Sequence, residues 1–343
     1  MPFQLESELQ ARHGQGLLRQ RQILQSGQGA SLLIEGRRYL NFSSNDYLGA
    51  ASQPAIAAAW QQGLATWGAG SGASPLVTGY TEAHQQLEEA LAAWLNVEAA
   101  LLFSSGFAAN QAVLKALLKP SHQQWQDRLN HASLQEAGSL IPSRMHRFRH
   151  NDMAHLESQL RPKAGLIISE GVFSMDGDQA PCQRLAELAA QSGNWLMIDD
   201  AHGIGVLGEQ GRGTLSQQGV APDSIHIRMA TFGKALGVGG AFVGGSRQLT
   251  DYLVNFARDY VYSTHMPPAQ AHAISAAVSW VKQAEAERAH LQALIRQFKT
   301  GIAELGLVAG ESSTAIQPLI IGDADKAVAV ANKLHERGLW VTA

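Results

Sequence analysis

The feature that most constrains the fold is an alternation of short apolar runs with helical stretches from Ala99 onward. The runs have the length of strands and include ALLF, GLIIS, WLMI and IHIRMAT. Repeats of strand and helix of this kind predict a mostly parallel sheet that is covered by helices on both faces. The predicted fold class is therefore α/β.

The remaining elements follow from the spacing of apolar residues and from helix-capping signals. We predict a β-hairpin over residues 31–42 and strands in the segments AIQPLIIGD and GLWVTA. The predicted helices cover Leu5–Leu24, Pro54–Trp67, residues 82–95 behind a Thr81 cap, a long region from Pro267 to Leu305 with one break, and Ala324–Arg337.

This order of elements predicts three parts. They are an N-terminal arm and hairpin over residues 1–45, a large domain over 46–265, and a bridging helix with a smaller C-terminal α/β domain over 266–343. The length of 343 residues agrees with two packed units, because domains commonly hold roughly 100 to 200 residues.

Charge and cysteine usage argue against several classes of protein. The net charge is −3 and the basic residues are scattered, which predicts no nucleic-acid partner. A single cysteine, Cys182, cannot form an internal disulfide, so we expect a cytoplasmic location. The spacings typical of zinc ligands do not occur, so we expect no metal. No apolar run approaches the ~20 residues of a membrane span.

Ligands of parallel sheets bind at the carboxyl ends of the strands, so the residues that follow each apolar run are candidate site residues. The run ALLF ends in Ser104 and Ser105, and a helix is predicted to begin near Gly106 and Phe107. Free amides at a helix N-terminus bind anions, which predicts a phosphate site there.

Two other strand ends carry the groups that pyridoxal phosphate requires. This cofactor needs a lysine for a Schiff base and a carboxylate that keeps its ring nitrogen protonated. Lys234 and Asp199 supply them, His202 is expected near the ring hydroxyl, and His131 is expected to stack on the ring.

Other interpretations of these residues remain open at this point. Asp199 and His202 have the spacing of a metal pair, but no third ligand is indicated. Gly68, Gly70 and Ala73 match the dinucleotide pattern G-x-G-x-x-A, yet they follow a helix rather than a strand.

A set of motifs in order then identifies a family resemblance. The motifs are NFSSNDYLG, SSGFAANQAV, DRLNHASLQEA, EGVFSMDGD, DDAHGIGVLGEQGRG, TFGKALG and YSTHMPPAQA. From about Arg19 to Ala343 the chain resembles the alpha-oxoamine synthases, in particular those of biotin biosynthesis. The resemblance implies the fold type I of pyridoxal-phosphate-dependent transferases, which is aspartate aminotransferase-like, and a homodimer with active sites at the subunit interface.

The resemblance also implies roles for individual residues. Lys234 and His131 would be catalytic, and Arg19, Asn45 and His131 would contact the substrates. The residues implied to bind the cofactor are Gly106, Phe107, His131, Ser174, Asp199, His202, Thr231, Lys234 and, from the other subunit, Thr264.

The implied reaction is an acyl transfer that joins L-alanine to a pimeloyl thioester, of CoA or a carrier protein, and yields 8-amino-7-oxononanoate. Two alternatives remain: a glycine-using relative, such as a 2-amino-3-ketobutyrate CoA ligase or a 5-aminolevulinate synthase, and an aminotransferase.

Family members continue past the position of Ala343 through a segment with an arginine that binds the substrate carboxylate. This departure predicts weak or absent activity for the chain and leaves a non-catalytic cofactor-binding protein as a further alternative.

Overall fold

The computed structural model describes residues 3–162 and 164–343, which form two compact units. The smaller unit contains the described residues up to Asn45 together with Leu319–Ala343, and the larger unit is Asp46–Pro318. Residues 266–318, which the sequence analysis assigns to the C-terminal domain, lie in the larger unit because the helices there pack against two earlier helices of that unit.

The helices are, in chain order, α1 Leu5–Gly14, α2 Pro54–Trp67, α3 Glu82–Leu95, α4 Gly106–Leu117, α5 Ala132–Leu140, α6 Met153–Gln159, α7 Cys182–Ser192, α8 Thr214–Gln217, α9 Arg247–Phe256, α10 Arg258–Val261, α11 Pro268–Gln283, α12 Glu285–Glu304 and α13 Ala324–Glu336. The strands are β1 Ser31–Ile34, β2 Arg37–Asn41, β3 Ala99–Phe103, β4 Gln123–Asp127, β5 Arg144–Phe148, β6 Gly165–Glu170, β7 Trp195–Asp199, β8 Ile227–Thr231, β9 Ala241–Gly245 and β10 Leu339–Trp340.

The larger unit is built on a seven-stranded sheet in the order β3-β9-β8-β7-β6-β4-β5. The pairs from β8 through β7, β6 and β4 to β5 are parallel. Strand β9 is antiparallel to both of its neighbours, β3 and β8. The predicted mostly parallel sheet is confirmed, but the sequence analysis missed β9, whose five residues include two glycines that weaken a strand signal.

Helices cover both faces of this sheet. Along β3, Ala100 and Leu102 pack in one apolar cluster with α3, whereas Leu101 and Phe103 pack in another with α4. Alternate residues of a strand point to opposite faces, so the two clusters lie on the two sides of the sheet. A third cluster joins α7 to Ile167 of β6.

The smaller unit is a three-stranded sheet in the order β1-β2-β10, with α1 and α13. The β1–β2 hairpin is antiparallel as predicted, and β10 adds to β2 in parallel. The predicted helix over Leu5–Leu24 is too long: it ends at Gly14, and Gly16 follows with a left-handed φ of 67°. The segment AIQPLIIGD forms no strand, since Pro318 lacks an N–H donor and Ile320 is exposed.

In the described part of the chain, no helix is long and apolar enough to cross a bilayer.

The long helical region from Pro267 breaks at Ala284, which separates α11 from α12. Helix α11 buries Ala273, Ile274 and Ala277. In the larger unit, the carboxyl ends of the parallel strands meet at one edge of the sheet. The candidate site lies at this edge.

Candidate active site

Parallel pairing aligns the strand ends that the sequence analysis selected. Glu170 at the end of β6 is directly opposite Asp199 at the end of β7, and Asp199 is opposite Met229 of β8. Thr231 ends β8, three residues before Lys234. The predicted convergence of these strand ends at one edge of the sheet is present in the structure.

The amine of Lys234 lies in a short chain of polar contacts. Its Nζ is 2.7 Å from Nε2 of His202, and Nδ1 of His202 is 2.7 Å from the hydroxyl of Tyr47. Burial and, to a smaller extent, the nearby Lys234 together lower the pKa of His202 to about 3, so the imidazole is neutral. An ammonium has no acceptor, so Lys234 donates to Nε2 when charged, and Nδ1–H then donates to Tyr47.

The pKa of Lys234 is lowered. Burial of the side chain is the main cause, and the negative charges of Asp199 and Glu170 oppose it. A lysine with a lowered pKa releases its proton more readily near neutral pH and is therefore a better base and nucleophile.

The carboxylate of Asp199 is buried and held by two donors. Asn110 on α4 donates from Nδ2 to Oδ2 at 2.8 Å, and the amide of Ala201 donates to Oδ1 at 3.0 Å. The same Nδ2 donates to Oγ of Ser133 at 2.9 Å, and this oxygen lies 2.8 Å from Nδ1 of His131. These contacts connect His131 to Asp199 through two polar side chains.

Asn110, Ser133 and Tyr47 are site residues that the sequence analysis did not select. All three lie within the quoted motifs, in SSGFAANQAV, DRLNHASLQEA and NFSSNDYLG respectively. Motif membership was the available signal, but an asparagine inside a helix carries no indication of which strand end it meets.

Glu170 is a second buried acid beside Asp199. Burial raises its pKa well above the usual range, and the charge of Asp199 raises it further, while backbone amides of His131 and Ser174 lower it. Its Oε1 has no hydrogen-bond partner among the described residues. Burial therefore favours the protonated form of this carboxyl group, which can donate one hydrogen bond.

The anion site is predicted at the N-terminus of α4. Ser105 caps this helix by accepting a hydrogen bond from the amide of Ala108 at 3.1 Å. The first amides of a helix have no acceptor within the helix, which leaves those of Gly106 and Phe107 for a ligand. A Cβ on Gly106 would lie 3.8 Å from Cβ of Thr231, so the helix tip adjoins the end of β8.

Four other predicted residues lie in exposed or half-buried segments. Ser174 is half-buried in the turn that follows β6, and Thr264 is exposed between α10 and α11. Arg19 and Asn45 belong to the smaller unit, and both are exposed. Their contacts with cofactor or substrate stay predictions.

No three or more His, Cys, Asp or Glu side chains within residues 3–162 and 164–343 are grouped as a metal ion would require. The neutral His202 and the lysine beside it are also a poor cation site, because an ammonium repels a metal ion.

Comparisons with known proteins agree with this fold. Residues 37–343 match the family model described as aminotransferase class I and II. The 8-amino-7-oxononanoate synthase of Aeromonas salmonicida is 63% identical over 100% of this chain and 86% of that protein.

Two solved structures have the same fold. The 8-amino-7-oxononanoate synthase of Francisella tularensis has a TM-score of 0.80 and 28% identity, over 89% of this chain and 88% of that one. A structure of SPT with a PLP internal aldimine has a TM-score of 0.92 and 26% identity, over 98% and 86% of the two chains. The predicted fold and family resemblance are thereby confirmed. The chain belongs to the aminotransferase class I and II family and, within it, to the 8-amino-7-oxononanoate synthases.

Proposed function

We propose that this chain condenses L-alanine with a pimeloyl thioester, of CoA or a carrier protein, in the step of biotin biosynthesis that forms 8-amino-7-oxononanoate. The reaction releases carbon dioxide and the free thiol. The observation that carries the proposal is the meeting of Lys234, Asp199 and the α4 N-terminus at one sheet edge, in a chain that is 63% identical to a synthase of that name.

The residues present fit pyridoxal phosphate. Lys234 would hold it covalently, and Asp199 would pair with its ring nitrogen, supported by the donors Asn110 and Ala201. The amides of Gly106 and Phe107 and the hydroxyl of Thr231 would bind the phosphate. Gly106 fits this role because a side chain there would point toward Thr231, which lines the same proposed phosphate site. His202 and Ser174 would contact the ring hydroxyl, and His131 would stack on the ring.

When bound, the cofactor supplies an electron sink for the negative charge that develops at the substrate α-carbon. Lys234 is the residue suited to remove the proton from the α-carbon of alanine, since burial lowers the pKa of its amine. The neutral His202 accepts a hydrogen bond from this amine and so orients it.

His131 is the donor that we propose for the acyl group. The attack on the thioester carbonyl places negative charge on its oxygen, and preorganised donors stabilise such charge. Nδ1 of His131 lies 2.8 Å from Oγ of Ser133, and this contact fixes the ring.

A homodimer is part of this proposal. Apolar side chains remain exposed on the larger unit, including Val77 and Tyr262, each with 72% of its surface exposed. Exposed apolar surface of this kind is typical of subunit interfaces. Thr264 is close in sequence to Tyr262, which is consistent with its proposed contact with the phosphate in the partner's site. We also propose that Arg19 and Asn45 contact the substrates.

The test is turnover of the full chain with pyridoxal phosphate, L-alanine and pimeloyl-CoA, followed by mass detection of 8-amino-7-oxononanoate. Lys234→Ala should abolish product, whereas Lys282→Ala, at an exposed lysine of α11, should leave the rate unchanged. A clear preference for glycine over alanine would assign the chain to the glycine-using relatives. Cofactor binding without turnover of either amino acid would contradict the enzyme assignment.

A further inference from the structure

Three hydrogen-bonded side chains, those of Asp127, His150 and Asp178, join two loops of the candidate site. Asp127 ends β4, and the loop behind it carries His131; Asp178 lies in the turn after β6 that carries Ser174. His150, which follows β5, contacts both. Its Nδ1 is 3.0 Å from Oδ1 of Asp127, and its Nε2 is 2.7 Å from Oδ2 of Asp178.

Both contacts form together only when His150 is charged. A neutral imidazole has a single N–H, so it donates to one carboxylate and turns a lone pair toward the other. Burial lowers the pKa of His150, but the hydrogen bonds and charges of Asp127 and Asp178 raise it by more, so the net pKa is higher than usual. These two acids are the titratable groups that face the ring, and the neighbouring Arg149 pairs with Asp152 at 2.7 Å.

Asp127 holds the first loop through backbone amides. It is fully buried, its Oδ1 also accepts from the amide of Leu129 at 2.9 Å, and its Oδ2 accepts from the amide of Asn151 at 2.9 Å. The bond to Leu129 fixes the path from β4 toward His131, which begins the next helix.

Asp178 holds the second loop through its backbone carbonyl and its carboxylate. Its carbonyl accepts from the amide of Phe173 at 2.9 Å, which closes the turn around Ser174. Asn151 donates from Nδ2 to Oδ2 of Asp178 at 2.8 Å and to the carbonyl of Gln179 at 3.2 Å. The ring of Phe173 packs edge-on against His150 at 4.4 Å.

We propose that Asp127, His150 and Asp178 form a positioning clamp that fixes the His131 loop and the Ser174 loop relative to each other, and that releases them at alkaline pH. The roles of His131 and Ser174 rest on the proposed function, whereas the clamp itself does not. None of its three residues is among those proposed to contact the substrate, so each acts only by positioning the loops.

The direction of the pH dependence follows from protonation. Because the folded state raises the pKa of His150, the clamp stabilises the loops fully below the unfolded value near 6.5 and is lost as pH rises through the folded value. Activity should then fall on the alkaline side through loosening of these two loops.

The experiment is amide hydrogen exchange on the full chain with pyridoxal phosphate, measured from pH 6 to 9 and corrected for intrinsic rates. At pH 6, His150→Gln should exchange about tenfold faster over residues 127–133 and 171–180, as expected for one lost hydrogen bond to a charged group. Its exchange there should no longer depend on pH, while the original protein approaches the same rate at alkaline pH. The matched control is His290→Gln, at an exposed histidine of α12, which should match the original protein.

A second variant, Asp178→Asn, keeps the shape and removes one charge. It should move the transition in exchange to lower pH without abolishing it. Equal protection of both loops in His150→Gln and the original protein at pH 6 would refute the clamp, and so would faster exchange spread uniformly over the whole chain. Because exchange requires no turnover, these results are distinct from a failure of the proposed reaction.

Discussion

Replacing Asn110 by leucine tests whether the site depends on the connection between His131 and Asp199. The change keeps the size of the side chain and removes Nδ2, which donates to Asp199 at 2.8 Å and to Ser133 at 2.9 Å. The amide oxygen has no partner among the described residues, so the loss comes from the two donated bonds.

The magnitude follows from the kind of bond that is lost. A hydrogen bond to a charged group contributes about 1.5–3 kcal/mol and a neutral one about 0.5–1.5 kcal/mol, so Asn110→Leu should lower the free energy of unfolding by about 2–4 kcal/mol. The neighbouring Gln111→Leu is a matched control, since Gln111 is also buried and donates one neutral bond, to the carbonyl of Ser133 at 3.2 Å. Its expected loss is about 0.5–1.5 kcal/mol.

The assay is urea unfolding of the cofactor-free protein at pH 7, followed by circular dichroism, so that ligand binding adds nothing to the stability. Unchanged m-values would show that both variants unfold from equally compact states. A loss for Asn110→Leu no larger than that for Gln111→Leu would refute the reasoning, because it would mean that the bond to Asp199 has no charge assistance.

Three further outcomes are expected. Glu170→Gln should change stability by under about 1 kcal/mol at acidic pH, where both side chains are neutral. Because the folded state raises the pKa of Glu170, urea titrations should show the original protein losing stability relative to this variant as pH rises above roughly 4.3. Parallel pH curves for the two proteins would contradict a raised pKa. Burial raises the pKa of Cys182 to about 12, so iodoacetamide at pH 8 should label it only after denaturant is added, and rapid labelling of the folded protein would contradict its burial. Gly213→Ala should cost more than about 3 kcal/mol by urea unfolding, because the new Cβ would collide with the carboxylate of Asp200 at a position with φ of 90°; a loss below about 1 kcal/mol would contradict this packing.

The sequence alone determined the sheet edge and most of the groups that meet there. Strand length, apolar runs and helix caps are local signals, so β3, β6, β7 and β8 and the start of α4 could be predicted, apart from the exact ends. The positions of Glu170, Asp199 and Lys234 followed, because the carboxyl ends of parallel strands meet at one edge. The motifs added the family, which the comparisons confirm.

The tertiary structure decided which side chains complete the site. Asn110 lies 89 positions before Asp199 and reaches it only because α4 packs over the sheet, and β9 enters the sheet by pairing with two strands that flank it in space. Folding raises the pKa of His150 because it brings two acids from different strand ends to its two nitrogens. Local spacing specifies which way a strand or helix faces, whereas contacts between distant segments depend on strand order and packing, which no local pattern encodes.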